Sequence, residues 1–253
     1  MRTIRTVVVC MLILGSVIKT YAQEHIMTVG FQYKPVFTSS LVSGDLKPFY
    51  NGATELRFKQ PSGHTFGMLI RRGYTKTISI ETGINTTKRN YHMTITDSAF
   101  SGTSGFSTLS YEIPFSILTF IRLGEHAFMN ASMGTSLDMY PSDVASKDSY
   151  YNHISYRMRL FTPGLLANLG CEYRTEKSGY FYLGASYHRP LQKIYETHVN
   201  YLKTSQNPIA IDGYLTGAYI TADLRYFFNS EPIKKKERKV REKRKKKLTS
   251  GDN

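Results

Sequence analysis

From residue 26 onward the chain alternates apolar and polar residues with a period of two, and it does so again and again. A β-strand is the element that sorts such a sequence onto two faces. The clearest stretch is Thr77 to Thr87. Ile78, Ile80, Thr82 and Ile84 share one face, and Ser79, Glu81, Gly83, Asn85 and Thr87 share the other. Such a strand has one greasy side and one side that accepts a carboxylate. Eight stretches of this kind follow a single hydrophobic N-terminal segment, so the expected fold class is all-β.

The eight stretches lie at about 26–36, 64–74, 77–87, 108–122, 127–140, 157–173, 180–189 and 215–228. Their polar faces carry Lys34, Arg71, Glu81, Glu112, Asp138, Glu172, Asp223 and Arg225. Their apolar faces carry residues such as Ile80, Ile113, Leu183 and Leu224. Alternation alone does not say which face is inside. The connections do bear on it. They are short at 73–76, 123–126 and 174–179, and long at 37–63, 92–107, 141–156 and 190–214. Short turns at one end and long loops at the other describe an antiparallel up-and-down barrel of the bacterial outer membrane. Closing eight strands removes the unpaired edges that a bilayer does not tolerate. The eight inward ionic residues are then expected to pair in a plugged, polar lumen, because a lone buried ion is costly.

The N-terminus agrees with export. Arg2 and Arg5 precede the apolar run Val7–Leu14, and Thr20-Tyr21-Ala22 offers a small-residue cleavage site. Residues 1–22 therefore read as a Sec signal peptide, with the run too short to span a membrane. Removing them leaves Cys171 alone, on an apolar face, so no intrachain disulfide is expected. Residues 23–229 form the barrel domain, and 230–253 form a basic tail. That tail holds eleven Lys and Arg against four acids, and so supplies +7 of the formal +14. With almost no apolar residue it is expected to be disordered. Its candidate contacts are anionic lipid headgroups or cell-wall polymer. The exported address argues against a nucleic-acid partner.

Tyr33, Tyr74, Tyr91, Tyr140, Tyr173, Tyr180, Tyr226, Phe227 and Phe228 fall at strand ends, where aromatic girdles are expected at the membrane–water boundary. Together with the signal peptide, strands such as Ser79-Ile80-Glu81-Thr82-Gly83-Ile84 and the last strand Ala222–Phe228 carry a resemblance. The chain resembles small outer-membrane β-barrel proteins of the Bacteroidota type, the porin-like or OmpA-like barrel-domain proteins. The resemblance covers roughly residues 23–228, and its signal is one of pattern. It implies an outer-membrane location, contact with outer-membrane lipids, and recognition by the barrel-assembly machinery. It also implies that Phe228, the terminal aromatic of the last strand, acts as an assembly signal, although here the chain continues past it.

Catalytic motifs are sparse. There is no G-x-S-x-G, H-E-x-x-H or phosphate-binding loop. His188 with Ser186, or His92 and His153, supply residue types that a lipid A-modifying barrel enzyme would use, but spacing does not place a base on a nucleophile. The seven His are scattered and no Cys pair exists, so neither a metal site nor a cofactor is expected. The leading expectation is a structural or interaction scaffold with surface-exposed loops. The alternatives are a small-solute porin, a lipid-modifying outer-membrane enzyme, and a soluble ligand-binding barrel.

Overall fold

The computed structural model describes residues 26–37, 48–75, 77–176, 178–202 and 208–229. The signal segment 1–22 and the basic tail 230–253 lie outside the described residues. Among the described residues there are thirteen strands and no helix: β1 (Met27–Phe37), β2 (Phe49–Asn51), β3 (Thr54–Gly73), β4 (Ile78–Thr96), β5 (Ser101–Arg122), β6 (Ala127–Met139), β7 (Val144–Asp148), β8 (Tyr151–Arg157), β9 (Phe161–Arg174), β10 (Tyr180–Pro190), β11 (Tyr195–Tyr201), β12 (Ile209–Leu215) and β13 (Tyr219–Phe227). Nine make one sheet, in the order β1-β13-β10-β9-β6-β5-β4-β3-β2. β1 pairs antiparallel with both β13 and β3, so the ladder that leaves β1 returns to it. β12-β11-β8-β7 form a second sheet.

The eight stretches read from the alternation all overlap strands of the first sheet, but the described residues hold five further strands and the strand ends differ. The expected long loops are largely strands. Segment 37–63 contains β2 and the first half of β3, and 190–214 contains β11 and most of β12. Segment 141–156 contains β7 and most of β8. Segment 92–107 is a hairpin tip: β4 and β5 run on and turn tightly, with Asp97 Oδ1 accepting from the Ala99 and Phe100 amides at 2.7 and 2.9 Å.

Pro61 explains why β3 reads short. A proline has no ladder donor, and the register of β3 on β4 shifts between Lys59 and Ser62, a bulge that absorbs it. Side-chain parity changes there. Arg57 and Lys59 face outward before the bulge, and His64, Phe66, Met68 and Ile70 face outward after it.

The faces of these long strands exchange polarity along their length. On β4 the enclosed face reads Ser79, Glu81, Asn85, Thr87, Arg89 and then Tyr91, Met93, Ile95. The outer face reads Ile78, Ile80, Thr82, Ile84, Thr86 and then Lys88, Asn90, His92, Thr94, Thr96. Polar-inside, apolar-outside thus becomes apolar-inside, polar-outside between Ile84 and Tyr91. β5 does the same. Thr103, Gly105 and Ser107 precede the outward Leu109, Tyr111, Ile113, Phe115, Ile117 and Ile121. The strands agree in height, because Lys88 is the register partner of both His64 on β3 and Leu109 on β5.

Beyond that level lies a conventional hydrophobic core. Leu56 and Phe58 of β3, Met93 and Ile95 of β4 and Phe106 of β5 pack against Tyr151 of β8, Tyr195, Val199 and Tyr201 of β11, and Ile211 and Leu215 of β12. The second sheet thereby caps the extended hairpins, and every core member is buried. Both ends of the ring lie at the opposite, short-turn end, where the Phe228 amide donates to the Val29 carbonyl and the Gly73 amide to the Ile26 carbonyl.

Candidate functional site

The ring encloses the ionic residues. Arg71 and Asp223 are fully buried, and Glu81, Glu112, Asp138, Glu172 and Arg225 are nearly so; the Lys34 side chain is 11% exposed. The alternation that placed each of them inward also turns Ile113, Leu183 and Leu224 outward, where they are exposed, while Ile80 is half-buried.

Most of these residues join one alternating chain of charge. Lys34 Nζ lies 3.7 Å from Asp223, and Asp223 accepts from Arg225 Nη2 at 2.6 Å. Arg225 Nη1 donates to Glu81 at 2.7 Å, and Glu81 accepts from Arg71 Nε at 3.0 Å. Arg71 Nη1 donates to Glu172, which also accepts from Arg174 Nε at 2.7 Å. Four cations thus alternate with three carboxylates. The excess cation is held by aromatic faces: the Arg174 guanidinium sits 3.9 Å above the Phe128 ring and 4.9 Å from that of Phe120. Arg71 similarly covers Phe227 at 4.0 Å.

The sequence reading missed Arg174, Phe120 and Phe128. The period was sufficient to place Phe120 and Phe128 inward, but their hydrophobicity hid them in a lumen expected to be polar. It also missed Arg89, a fully buried residue whose Nη1 donates to the Gly217 carbonyl at 2.9 Å beneath the cap.

Glu112 and Asp138 stand apart from that chain. They are direct register partners on β5 and β6, and among the described residues their ion pairs are with His188 of β10. Asn85 Nδ2 donates to Glu112 at 2.7 Å, and Ser136 Oγ lies 3.1 Å from His188 Nε2.

His188 does not face Ser186, whose hydroxyl donates to Asp223 at 2.5 Å. Ser136 and Asp138 both approach His188 through Nε2. A nucleophile–base relay uses the two ring nitrogens for different partners. His92 points outward on β4, and His153 lies on the enclosed face of the cap strand β8, between Ser146 at 2.9 Å and Ser155 at 2.8 Å. Burial lowers the His153 pKa from 6.5 to about 4.

The expected girdle is corrected in part. Tyr33, Tyr74, Tyr173 and Phe228 are exposed, but Tyr91, Tyr140, Tyr180 and Phe227 are buried inside. Strand-end position predicted aromatic character, whereas parity decides the face. Phe228 follows β13 on the outer surface, with its ring 5.8 Å from that of Phe31 and 5.2 Å from that of Tyr226.

Comparison with known proteins gives a fold and no nearer kinship. No family model and no curated protein matches the chain. Among solved structures, the outer membrane protein OprG from Pseudomonas aeruginosa superposes with a TM-score of 0.51 at 13% identity, over 82% of this chain and 98% of that one. The outer membrane protein AlkL matches at 0.39 and 12%, over 82% of this chain and 92% of its own. The Escherichia coli outer membrane protease OmpT matches at 0.29 and 12%, over 80% and 95%. The likeness to OprG, with the all-β antiparallel architecture, gives the chain an outer-membrane β-barrel fold.

Proposed function

We propose that β1, β3, β4, β5, β6, β9, β10 and β13 form an eight-stranded transmembrane barrel of the bacterial outer membrane. The barrel acts as a scaffold that holds a folded β-cap in water. The exchange of polarity supports the membrane placement. Lipid contacts the outer face of β5 from Leu109 to Ile121, a run of about 40 Å along the strand that spans roughly 28 Å when tilted. Above it the same strands carry polar residues outward over an apolar core, as water requires. The short-turn end then faces the periplasm with both ends of the ring, and the cap faces outward.

In this reading Phe228 lies where assembly machinery meets the outer face of the last strand. Outer-membrane lipids surround Leu183 and Leu224. The basic residues 230–253 follow the periplasmic end of β13 in the chain, and their proposed partner is anionic lipid or cell-wall polymer.

The observation that carries the scaffold reading is the chain of ion pairs that crosses the ring from Lys34 to Arg174. The cavity bounded by Gln32, Leu69, Glu81, Pro114, Leu166 and Arg225 is about 20 Å³, room for one water. Purified protein in planar bilayers is therefore expected to give closed records. Steady ion conductance would replace the scaffold with a small-solute porin.

A further inference from the structure

We propose that Glu112, Asp138 and His188 form a binding site for one first-row divalent transition-metal ion inside the barrel, a staple between β5, β6 and β10.

The first ground is donor type and spacing. One ligand atom from each residue can be chosen so that all three lie within 4.8 Å of one another, and all three side chains are buried. His188 Nε2 lies 3.0 Å from Asp138 Oδ2 and 3.6 Å from Glu112 Oε2. Ligands held at roughly 2.1 Å from a zinc-class ion are separated by about 3.0 Å at right angles and about 3.4 Å at tetrahedral angles. The Asp138 separation falls in that range and the Glu112 separation lies about 0.2 Å beyond it. An imidazole with two carboxylates suits zinc, iron or manganese, and disfavours the all-oxygen ions magnesium and calcium.

The second ground is an unmet electrostatic need. Two carboxylates placed directly opposite on neighbouring strands repel. The arginines that neutralise Glu81, Glu172 and Asp223 do not reach this pair. Asp138 Oδ2 is buried and makes no aligned hydrogen bond, although it points at the cluster with His188 Nε2 3.0 Å away. Glu112, in contrast, is already oriented from outside: Asn85 donates to its Oε1 at 2.7 Å and the Tyr219 hydroxyl to its Oε2 at 3.4 Å. Such supporting bonds fix a ligand before an ion arrives.

The third ground is space kept open by a glycine. β9 runs between β6 and β10, and its Gly164 is the register partner of Ser136 on one side and of Pro190 on the other. A Cβ at Gly164 would lie 2.4 Å from Ser136 Oγ, 3.0 Å from His188 Nε2 and 3.2 Å from Asp138 Oδ2. The absent side chain lets groups from β6 and β10 meet across the intervening strand. Sequence spacing could not show this, because the three ligands lie on different strands and come together only through register.

The test uses the mature full-length protein, folded in detergent and stripped with a chelator. Zn2+, Mn2+ and Mg2+ are titrated separately, with bound metal read by equilibrium dialysis and elemental analysis. The expected result is one Zn2+ per chain, Mg2+ at least about a hundredfold weaker, and a higher unfolding temperature with zinc. Asp138→Asn and His188→Gln should lose the bound equivalent. Gly164→Ala keeps all three ligands and should weaken binding at least about tenfold. Co2+ absorption offers a readout of coordination in any variant that retains heat-modifiable mobility. No bound zinc in the folded wild type overturns the proposal, and so does one equivalent whose affinity is unchanged in all three variants.

Discussion

Arg71 of β3 donates a hydrogen bond to Glu172 of β9, and these two strands face each other across the ring, four strand-steps apart in either direction. That bond crosses the lumen from one wall to the opposite one. The same Arg71 holds Glu81 on the adjacent β4, so one guanidinium ties three strands together.

Breaking that tie should be costly. Arg71→Ala leaves Glu172 and Glu81 short of a partner in a buried setting, and loss of one member of such a pair typically costs about 3–5 kcal/mol. Urea unfolding in micelles, followed by gel mobility, should show a destabilisation of that order. Arg174→Ala should cost less, because it takes a partner from one carboxylate, Glu172, where Arg71→Ala takes one from two.

The two halves of the outer surface should answer differently to the same substitution. Leu183 is 62% exposed on β10 below the polarity exchange, and Thr94 faces outward on β4 above it. Arginine at Leu183 should cost about 2–4 kcal/mol if that position faces the middle of the bilayer. Arginine at Thr94 should change stability by less than about 0.5 kcal/mol, as at an ordinary wet surface. Folding titrations into lipid vesicles check both.

The cap should loosen without the barrel. Phe58 is fully buried, with ring neighbours Phe49 at 6.3 Å and Phe106 at 6.2 Å. Phe58→Ala should cost the cap about 3–5 kcal/mol. Limited proteolysis should then cut within 141–157 or 190–215 while heat-modifiable mobility persists.

Acid should act on the same region through His153. Its pKa falls from 6.5 to about 4 because burial among rings such as Phe106, 4.5 Å away, disfavours the charged form. The unfolded state binds the proton more tightly, so the stabilisation present above about pH 6.5 is lost as the pH falls towards 4. Amide exchange in β8 and β11 should rise over that window. His153→Asn should flatten the dependence.

Much of this architecture was legible in the alternation. Ser79–Asn85 and Leu109–Ile121 each gave the correct face at every position, because lipid and lumen impose one rule on every strand. The cap was not legible by the same rule. In β8 the enclosed residues Tyr151, His153 and Ser155 are no more apolar than the half-buried Ile154 opposite them, so hydropathy carried no sign. β11 does alternate, with Tyr195, Thr197, Val199 and Tyr201 enclosed, but its pattern was lost in a segment read as a loop. The Glu112–Asp138–His188 cluster depends on register and on a glycine, neither of which a hydropathy period encodes.

The exchange of polarity along β4 is tested most directly by a cysteine scan of its outer face, in a Cys171→Ser background and in whole cells. Positions 88, 90, 92 and 94 should react with a membrane-impermeant maleimide. Positions 78, 80, 82 and 84 should stay unreactive, and a fluorophore attached to them after purification should be quenched by brominated lipid. Uniform maleimide labelling along the whole face, with no lipid quenching at 78–84, would contradict the account.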